Sequence, residues 1–203
     1  ALKAEGIGEF LDGIREYAVS PAYPEIFGAK VYKIARDTQG NRLTYLKVTG
    51  GELKVKETLP DVEGKVNQIR LYSGDKYELL QEAQAGMVCA VTGLEGTYPG
   101  QGIGAEPDSE LPVLEPVLTY RVELPEGCDV HRMVQNLRQI EEEDPELHVV
   151  WVEEKKEIHI QLMGDVQTEV LQKMVKDRFG VLITFGSGNI VYKETIDNTV
   201  EGV

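Results

Sequence analysis

The 203-residue sequence predicts two units of different fold class, a β-rich unit followed by a smaller α+β unit. Short segments rich in Val, Ile, Tyr and Leu follow one another over residues 26–113, and Gly, Asn, Asp or Pro separate them. Regularly spaced strands of this kind are typical of a closed β-barrel or a sandwich. Over residues 114–186 the apolar spacing instead alternates between strand-like and helical, in the order β-α-β-β-α-β. That order predicts a ferredoxin-like sheet with both helices on one face.

The chain opens with a predicted amphipathic helix. Apolar residues recur at i, i+3, i+4 and i+7 from Ile7 to Ala18, which predicts a helix over residues 6–18. The prolines at 21 and 24 end it, so residues 1–25 form a helix and a linker. The first residue is Ala1, not a methionine, and we expect the chain to be a piece of a longer protein.

Six strand-like segments make up the predicted barrel. They are AKVYKIARD, RLTYLKVTG, GELKVKETL, KVNQIRLYS, KYELLQEA and GMVCAVTGL. Turn signals separate them at residues 39–41, 50–51, 60–61, 73–75 and 86. The stretch 106–116 contains three prolines and little apolar periodicity, which predicts a linker.

The predicted α+β unit begins with a strand over 118–124. Helical spacing from Val130 to Ile140 is broken by Asp144-Pro145, and a hairpin of strands 147–151 and 158–162 follows. A second helix begins after Gly164, and Gly180 leads into a last strand over 181–185. The residues predicted to form the apolar side of this second helix are Val166, Val170, Leu171, Met174 and Phe179.

Composition restricts the classes of function. The net charge is −14, with −6 from residues 1–115 (12 basic, 18 acidic) and −8 from residues 116–203 (9 basic, 17 acidic). Phosphate contacts dominate non-specific nucleic-acid affinity, so neither half is a basic RNA-binding module. The two cysteines lack metal-ligand spacing, and the chain has no export signal and no apolar run long enough to span a membrane. We expect a cytoplasmic protein.

The segment Gly100-Gln101-Gly102-Ile103-Gly104-Ala105 fits the G-x-G-x-x-A pattern of a dinucleotide-binding loop. Such a loop needs a helix N-terminus directly after it, because the helix amides hold the phosphate. Here Pro107 and Pro112 follow instead. We therefore interpret the segment as a flexible exit from the last barrel strand.

Other candidate chemistry is weak. His131, His148 and His159 are isolated, and the acidic run Glu141-Glu142-Glu143-Asp144 is interpreted as a solvated face at a helix end. Cys89 lies within an apolar strand, where a thiol is inert. We assign no catalytic, cofactor-binding or metal-binding residue to this chain.

Several segments resemble the elongation factor G superfamily of translational GTPases. NRLTYLKVTGGEL (41–53) and LQEAQAGMVCAVTGLEGTYPGQGIG (80–104) resemble conserved runs of its second domain. LRQIEEEDPEL (137–147) and IHIQLMGDVQTEVLQ (158–172) resemble runs of its third domain, and VYKETI (191–196) resembles the entry to the fourth. The N-terminal ALKAEGIGEFLDGIREYAVSP resembles the guanine-contacting loop and last helix of the GTPase domain. These segments cover nearly the whole chain in the family's order.

The resemblance implies a domain layout. Residues 1–25 would be the C-terminal helix of the GTPase domain with its linker, and 26–113 a translation-factor β-barrel, domain II. Residues 114–186 would be the ferredoxin-like domain III, and 187–203 the start of the connection to domain IV. GTP and magnesium would bind in a GTPase domain that this chain lacks.

The resemblance also implies a function. Residues 164–170 (GDVQTEV) are more similar to the GKVQMEV of tetracycline-resistance ribosomal protection proteins than to the GELHLEI of elongation factor G. The implied function is docking to the ribosome in a protein that releases tetracycline from it. The alternatives are elongation factor G itself or a release-factor-type GTPase, and, outside this family, a stand-alone ligand-binding domain or a protein scaffold.

The implied partners are small-subunit rRNA, ribosomal protein, and the chain's own GTPase domain and domain IV, with no membrane and no DNA. Because the chain is acidic, RNA contact would have to be local. We hypothesise a stripe of four basic residues, Arg42, Lys47, Lys65 and Arg70. The alternative is that these side chains belong to solvated strand faces.

Overall fold

The structure is a computed structural model that describes residues 5–18, 21–110, 116 and 118–190. The first helix, α1, spans Ile7–Tyr17, inside the predicted range of 6–18. None of its residues is buried, and its apolar side chains, such as Phe10 and Tyr17, face solvent within the described part of the chain. The VYKETI segment and the rest of 191–203 lie outside the described residues, as do residues 111–115 of the predicted linker.

The first unit consists of eight strands. They are β1 (Gly28–Arg36), β2 (Arg42–Gly50), β3 (Glu52–Lys54), β4 (Glu63–Ser73), β5 (Lys76–Leu80), β6 (Glu82–Gln84), β7 (Val88–Glu95) and β8 (Gly102–Gly104). Six of them form one antiparallel sheet in the order β5-β4-β7-β2-β1-β8. The other two, β3 and β6, pair only with each other among the described residues.

The predicted closed barrel is not confirmed by the described residues, because the end strands β5 and β8 do not pair and the sheet stays open. Strand β8 has only three residues and pairs with the first residues of β1. The small β3–β6 sheet supplies Leu53 and Ala83 to the same buried cluster as the large sheet. The core of the open sheet is therefore covered in part by the β3–β6 sheet, which packs against it as a second layer.

The core of the first unit lies on one side of the large sheet. Its fully buried members include Val31 of β1, which pairs with Leu46 of β2, and Ile69 of β4, which pairs with Val91 of β7. Pairing of β4 with β7 is interrupted between Gly64 and Gln68. Gly64 has a φ of +91°, and a Cβ there would overlap the carbonyl oxygen of Gly93. Only glycine therefore fits at position 64, where the pairing of β4 with β7 stops before it resumes at Gln68.

The second unit has the element order β9 (Leu118–Glu123), α2 (Val130–Glu141), β10 (Val150–Val152), β11 (Glu157–Leu162), α3 (Asp165–Phe179) and β12 (Thr184–Phe185). Its antiparallel sheet has the order β10-β11-β9-β12, and a short strand β13 (Asn189–Ile190) also pairs with β9. Helix α2 is N-capped by Asp129, whose side chain accepts a hydrogen bond from the Arg132 amide. The buried apolar residues of this unit form a cluster separate from that of the first unit.

Three sequence-based expectations differ from the structure here. Leu147 lies in a 3₁₀ turn (Pro145–Leu147), so the strand predicted from 147 begins at Val150. The last strand is two residues long, not five. Helix α3 buries Leu171 and Val175, whereas Val166, predicted to be on its apolar side, is 77% exposed. The packing of α3 therefore buries fewer of its apolar residues than their spacing predicted.

No helix in the described part of the chain is both long enough and apolar enough to cross a bilayer.

Candidate functional site

A cleft of about 1130 Å³ lies between the two units. One wall comes from the first unit: the β1–β2 turn, the middle of β4 and the loop after β7. The other wall is the C-terminal end of α2 with Pro145. The charged residues that line it are Arg36, Arg42, Arg70, Arg138, Glu95, Glu141 and Glu142. Two of the four predicted RNA contacts therefore line this cleft.

Arg42 links the two units. Its Nε donates to Oε2 of Glu142 at 3.0 Å, and Nη2 of Arg36 donates to the same oxygen at 2.9 Å. Arg42 also donates to Thr97 Oγ1 at 2.7 Å and to the carbonyl of Leu94 at 3.2 Å. Two guanidinium groups from the first unit thus converge on one carboxylate of the second, and Glu142 remains 41% exposed.

Arg70 makes its contacts within the first unit. Its Nη1 donates to Oδ2 of Asp37 at 3.0 Å, and the pair is almost enclosed, with side chains 7% and 13% exposed. Arg70 also donates twice to Gln68 Oε1, and its guanidinium carbon lies 4.5 Å from the ring centroid of Tyr77. The Arg70 guanidinium therefore already has its partners within the first unit.

Asp37 is held as a carboxylate. Burial would raise its pKa, but hydrogen bonds from Asn41, Arg70 and Gln39 outweigh burial and lower the pKa to about 2. The donors are Asn41 through its amide and side chain, Gln39 through its amide, and Arg70. The β1–β2 turn and β4 are tied together at this one residue.

The other two predicted RNA contacts are exposed. Lys47 lies on β2 with its Nζ 5.8 Å from the ring centroid of Tyr23, and Lys65 lies on β4. Neither makes a salt bridge to another described residue. The four predicted residues thus divide into two that the fold uses and two that point to solvent, and RNA contact by any of them stays a prediction.

The glycine segment 100–105 is not a phosphate loop in this structure. Gly102–Gly104 form strand β8, and no helix begins between residue 105 and residue 110. A Cβ at Gly102 would overlap the carbonyl oxygens of Glu106 and Pro107, so the chain itself fills the space. Oδ1 of Asp108 accepts from the Gly102 amide at 2.7 Å, and its Oδ2 accepts from the Tyr98 hydroxyl at 3.0 Å. The predicted flexible exit is therefore an edge strand followed by a hydrogen-bonded turn.

The sequence suggested that the acidic run after α2 is a solvated face; Glu142 and Asp144 are exposed, but three of the four carboxylates also accept hydrogen bonds from other parts of the chain. Glu141 accepts a hydrogen bond from the Val149 amide at 2.7 Å, and Glu142 accepts from the two arginines described above. Glu143 accepts two hydrogen bonds from Arg178 of α3, at 2.6 and 2.9 Å. Successive residues at a helix end point about 100° apart, so three neighbouring carboxylates can reach three different elements.

The remaining titratable candidates fit structural roles. Nε2 of His159 lies 3.0 Å from Oε2 of Glu157, and the His131 ring contacts Trp151 with centroids 5.6 Å apart. No group of three or more His, Cys, Asp or Glu in the described residues could hold a metal ion. Burial raises the pKa of the Cys89 thiol to about 11, so it is not a thiolate at neutral pH.

Comparisons with known proteins agree over most of the chain. The family described as Elongation Factor G, domain III matches residues 113–187. Elongation factor G 2 of Syntrophus aciditrophicus is 28% identical over 99% of this chain and 34% of its own length. Elongation factor G of Pseudothermotoga lettingae is 27% identical over 98% of this chain and 33% of its own length.

Two further comparisons extend this picture. Tetracycline resistance protein TetP of Clostridium perfringens is 29% identical over 94% of this chain and 30% of its own length. A crystal structure of a Thermus thermophilus protein matches with a TM-score of 0.71 at 24% identity, over 89% of this chain and 29% of that protein. This chain thus spans about a third of the length of the curated relatives it matches.

Proposed function

Because residues 113–187 belong to the elongation factor G domain III family, we propose that this chain supplies the ribosome-docking middle domains of a ribosome-dependent translational GTPase. The observation that carries the proposal is the continuous similarity to elongation factor G proteins and to a tetracycline resistance protein, over 94% or more of the chain. The complete protein would work in the cytoplasm. It would contact small-subunit rRNA, ribosomal protein, its own GTPase domain and its domain IV, without membrane or DNA partners.

The proposal includes a domain layout. Residues 26–113 would be an open version of the translation-factor barrel, and residues 114–186 the ferredoxin-like third domain. Two separate buried clusters, one drawn from residues 27–103 and the other from residues 118–185, support this division. Residues 1–25 would belong to the end of the GTPase domain, which would give the exposed apolar face of α1 a partner. Residues 187–203 would lead to domain IV.

GTP and magnesium would be held outside this chain. The chain spans about a third of the length of its curated relatives, and its glycine-rich segment that resembles a phosphate loop is filled by its own backbone. This chain would instead transmit a change of arrangement. Arg36 and Arg42 hold Glu142 across the cleft, so a rotation of one unit against the other would break both contacts together.

Within the family, we propose that the complete protein is a tetracycline-resistance ribosomal protection protein. The GDVQTEV segment at the start of α3 is the observation that favours this subfamily. Its unusual Asp165 has a local role, because Oδ1 accepts a hydrogen bond from the Tyr120 hydroxyl at 2.8 Å. Elongation factor G, acting in translocation, and a release-factor-type GTPase are the alternatives, and the identities of 27–29% do not separate them.

Two measurements on the complete gene product test this. Hydrolysis of GTP by the purified protein should rise when ribosomes are added, and its absence would contradict the whole proposal. A tetracycline-sensitive host that carries the gene should then grow at higher drug concentrations than the same host with an extra copy of its own elongation factor G gene. Ribosome-stimulated hydrolysis without a gain in tolerance would favour elongation factor G.

A further inference from the structure

Four tyrosines form a continuous row on the large sheet of the first unit. Ring centroids are 6.1 Å apart for Tyr32 and Tyr45, 5.7 Å for Tyr45 and Tyr72, and 5.2 Å for Tyr72 and Tyr77. The row crosses the sheet from β1 to β5. Tyr32 and Tyr77, at its two ends, are 47% and 45% exposed, and the two middle rings are half-buried.

The strand register places this tyrosine row on the face opposite the core. Tyr45 is level with Ala90 of β7, and Ala90 is level with Arg70 of β4, whereas the adjacent positions on β4 and β7, Ile69 and Val91, belong to the core. Strand β7 runs between the two middle tyrosines. Because Ala90 has a small side chain, the Tyr45 and Tyr72 rings can meet above it, and Ala90 is fully buried without joining the core cluster.

The charge on this face is opposite to that of the chain. The outward positions around the tyrosine row, read from the register, are 30, 33 and 35 on β1; 43, 45, 47 and 49 on β2; 68, 70 and 72 on β4; 77 and 79 on β5; and 88, 90 and 92 on β7. None of these positions is Asp or Glu, although the chain has 35 acidic residues. The outward pair Glu63–Glu95 lies farther along β4 and β7, beyond the interruption in their pairing. The basic residues among them are Lys30, Lys33, Lys47 and Arg70.

These cations lie beside the aromatic rings. Nζ of Lys33 is 5.6 Å from the Tyr45 centroid, and the Arg70 guanidinium lies over Tyr77. Lys30 and Arg70 have carboxylate partners, Glu106 and Asp37. Lys33 and Lys47 form no salt bridge with any other described residue, so they are available to an anion.

We propose that the tyrosine row is a stacking surface for unpaired nucleotides of an RNA, with Lys33 and Lys47 beside it for phosphates. Sheet-borne aromatic residues that stack bases, flanked by cations that follow the backbone, are a general solution for binding single strands. A protein partner could also use tyrosines, but it would not require the row to be bordered by lysines rather than carboxylates on so acidic a chain. The inference rests on the proposed ribosomal function and gives it a binding surface.

Binding of a labelled, unstructured oligouridylate to the 203-residue protein, followed by fluorescence anisotropy, tests the inference. Tyr32→Ala and Tyr77→Ala should each weaken binding about fivefold or more, because each removes a stacking ring. Tyr77→Phe keeps the ring and should stay within about twofold of the wild type. Tyr17→Ala, on exposed helix α1, is the matched control and should bind as the wild type does. Thermal unfolding of each variant shows that the fold is kept.

Four results would overturn the stacking surface, three of them in the oligonucleotide assay. Those three are no measurable binding by the wild type, equal binding by the alanine variants, or a loss with Tyr77→Phe as large as with Tyr77→Ala. Weaker binding to ribosomes with unchanged binding to the oligonucleotide would also overturn it, and would indicate a protein contact. If ribosomes stimulate GTP hydrolysis by the complete protein but the tyrosine variants bind RNA normally, only this inference fails. If the tyrosine variants lose RNA binding but ribosomes have no effect on hydrolysis, only the proposed function fails.

Discussion

Two arginines of the large sheet, Arg70 on β4 and Arg42 on β2, have opposite surroundings. Arg70 is enclosed, and its partner Asp37 belongs to the same unit. Arg42 is paired across the cleft with Glu142, whose side chain is 41% exposed. An enclosed pair cannot lose one member without leaving an uncompensated charge, whereas water can replace the partner of an exposed pair. The first pair therefore stabilises a fold, and the second sets the position of one unit against another.

The largest effect is expected for Asp37→Asn. The substitution removes the only carboxylate paired with the enclosed Arg70 guanidinium among the described residues, and we expect the free energy of unfolding of the first unit to fall by about 3 kcal/mol. Urea denaturation followed by circular dichroism measures this. Asp75→Asn, in an exposed turn, is the control and should change stability by less than about 0.5 kcal/mol. Equal midpoints for the two variants would show that the pair does not support the fold.

The same pair gives a pH dependence of known sign. The pKa of Asp37 is lowered from 3.8 to about 2 in the folded protein, so its contribution is complete above pH 3.8 and is lost as the pH falls towards 2. The difference in stability between the wild type and Asp37→Asn should be largest at neutral pH and smaller between these two values. Denaturation midpoints of both proteins at neutral and acidic pH check this. A difference that does not change with pH would contradict the assignment.

A smaller effect on stability is expected for Glu142→Gln. Two exposed contacts are weakened, and we expect a loss of about 1 kcal/mol or less. The relative position of the two units should become more variable, which small-angle X-ray scattering would detect as a larger radius of gyration. Glu154→Gln, in the exposed β10–β11 turn, provides the control for a lost surface charge. Unchanged scattering would mean that other contacts hold the units together.

The smallest effect on stability is expected for Lys47→Gln and Lys65→Gln. Neither residue has a carboxylate partner in the described part of the chain, so each substitution should alter the free energy of unfolding by less than about 0.5 kcal/mol. If these lysines contact phosphates, each substitution should also reduce the salt dependence of RNA binding by about one released counterion. Anisotropy titrations at several salt concentrations measure that slope. An unchanged slope for both would leave them as solvated strand positions.

Local sequence pattern predicted the buried face of one helix correctly and that of another only in part. The apolar stripe of α2 was predicted from spacing, and its members Met133, Val134, Leu137 and Ile140 are all buried. Spacing also gave α3 an apolar side, but the sheet is too narrow to cover Val166 and Val170. Periodicity shows which residues could be buried, and only the packed neighbour decides which of them are.

The candidate site was harder to predict because its partners are distant along the chain. Arg70 and Asp37 are 33 residues apart, and Arg42 and Glu142 are 100 residues apart. Nothing local distinguishes an arginine that will be enclosed from one that will face solvent. For the same reason the strands were recognised, but the lack of pairing between the end strands β5 and β8 was not: closure of a sheet depends on the lengths and positions of its two ends.

Ala90 affects the tyrosine row although its own side chain is small. It touches no solvent and belongs to no core, yet the contact between the two middle tyrosine rings depends on how little space it takes. A valine at this position would force the rings apart and divide one long aromatic platform into two short ones, while every tyrosine stayed in the sequence. The continuity of an exposed surface can therefore depend on a methyl group beneath it.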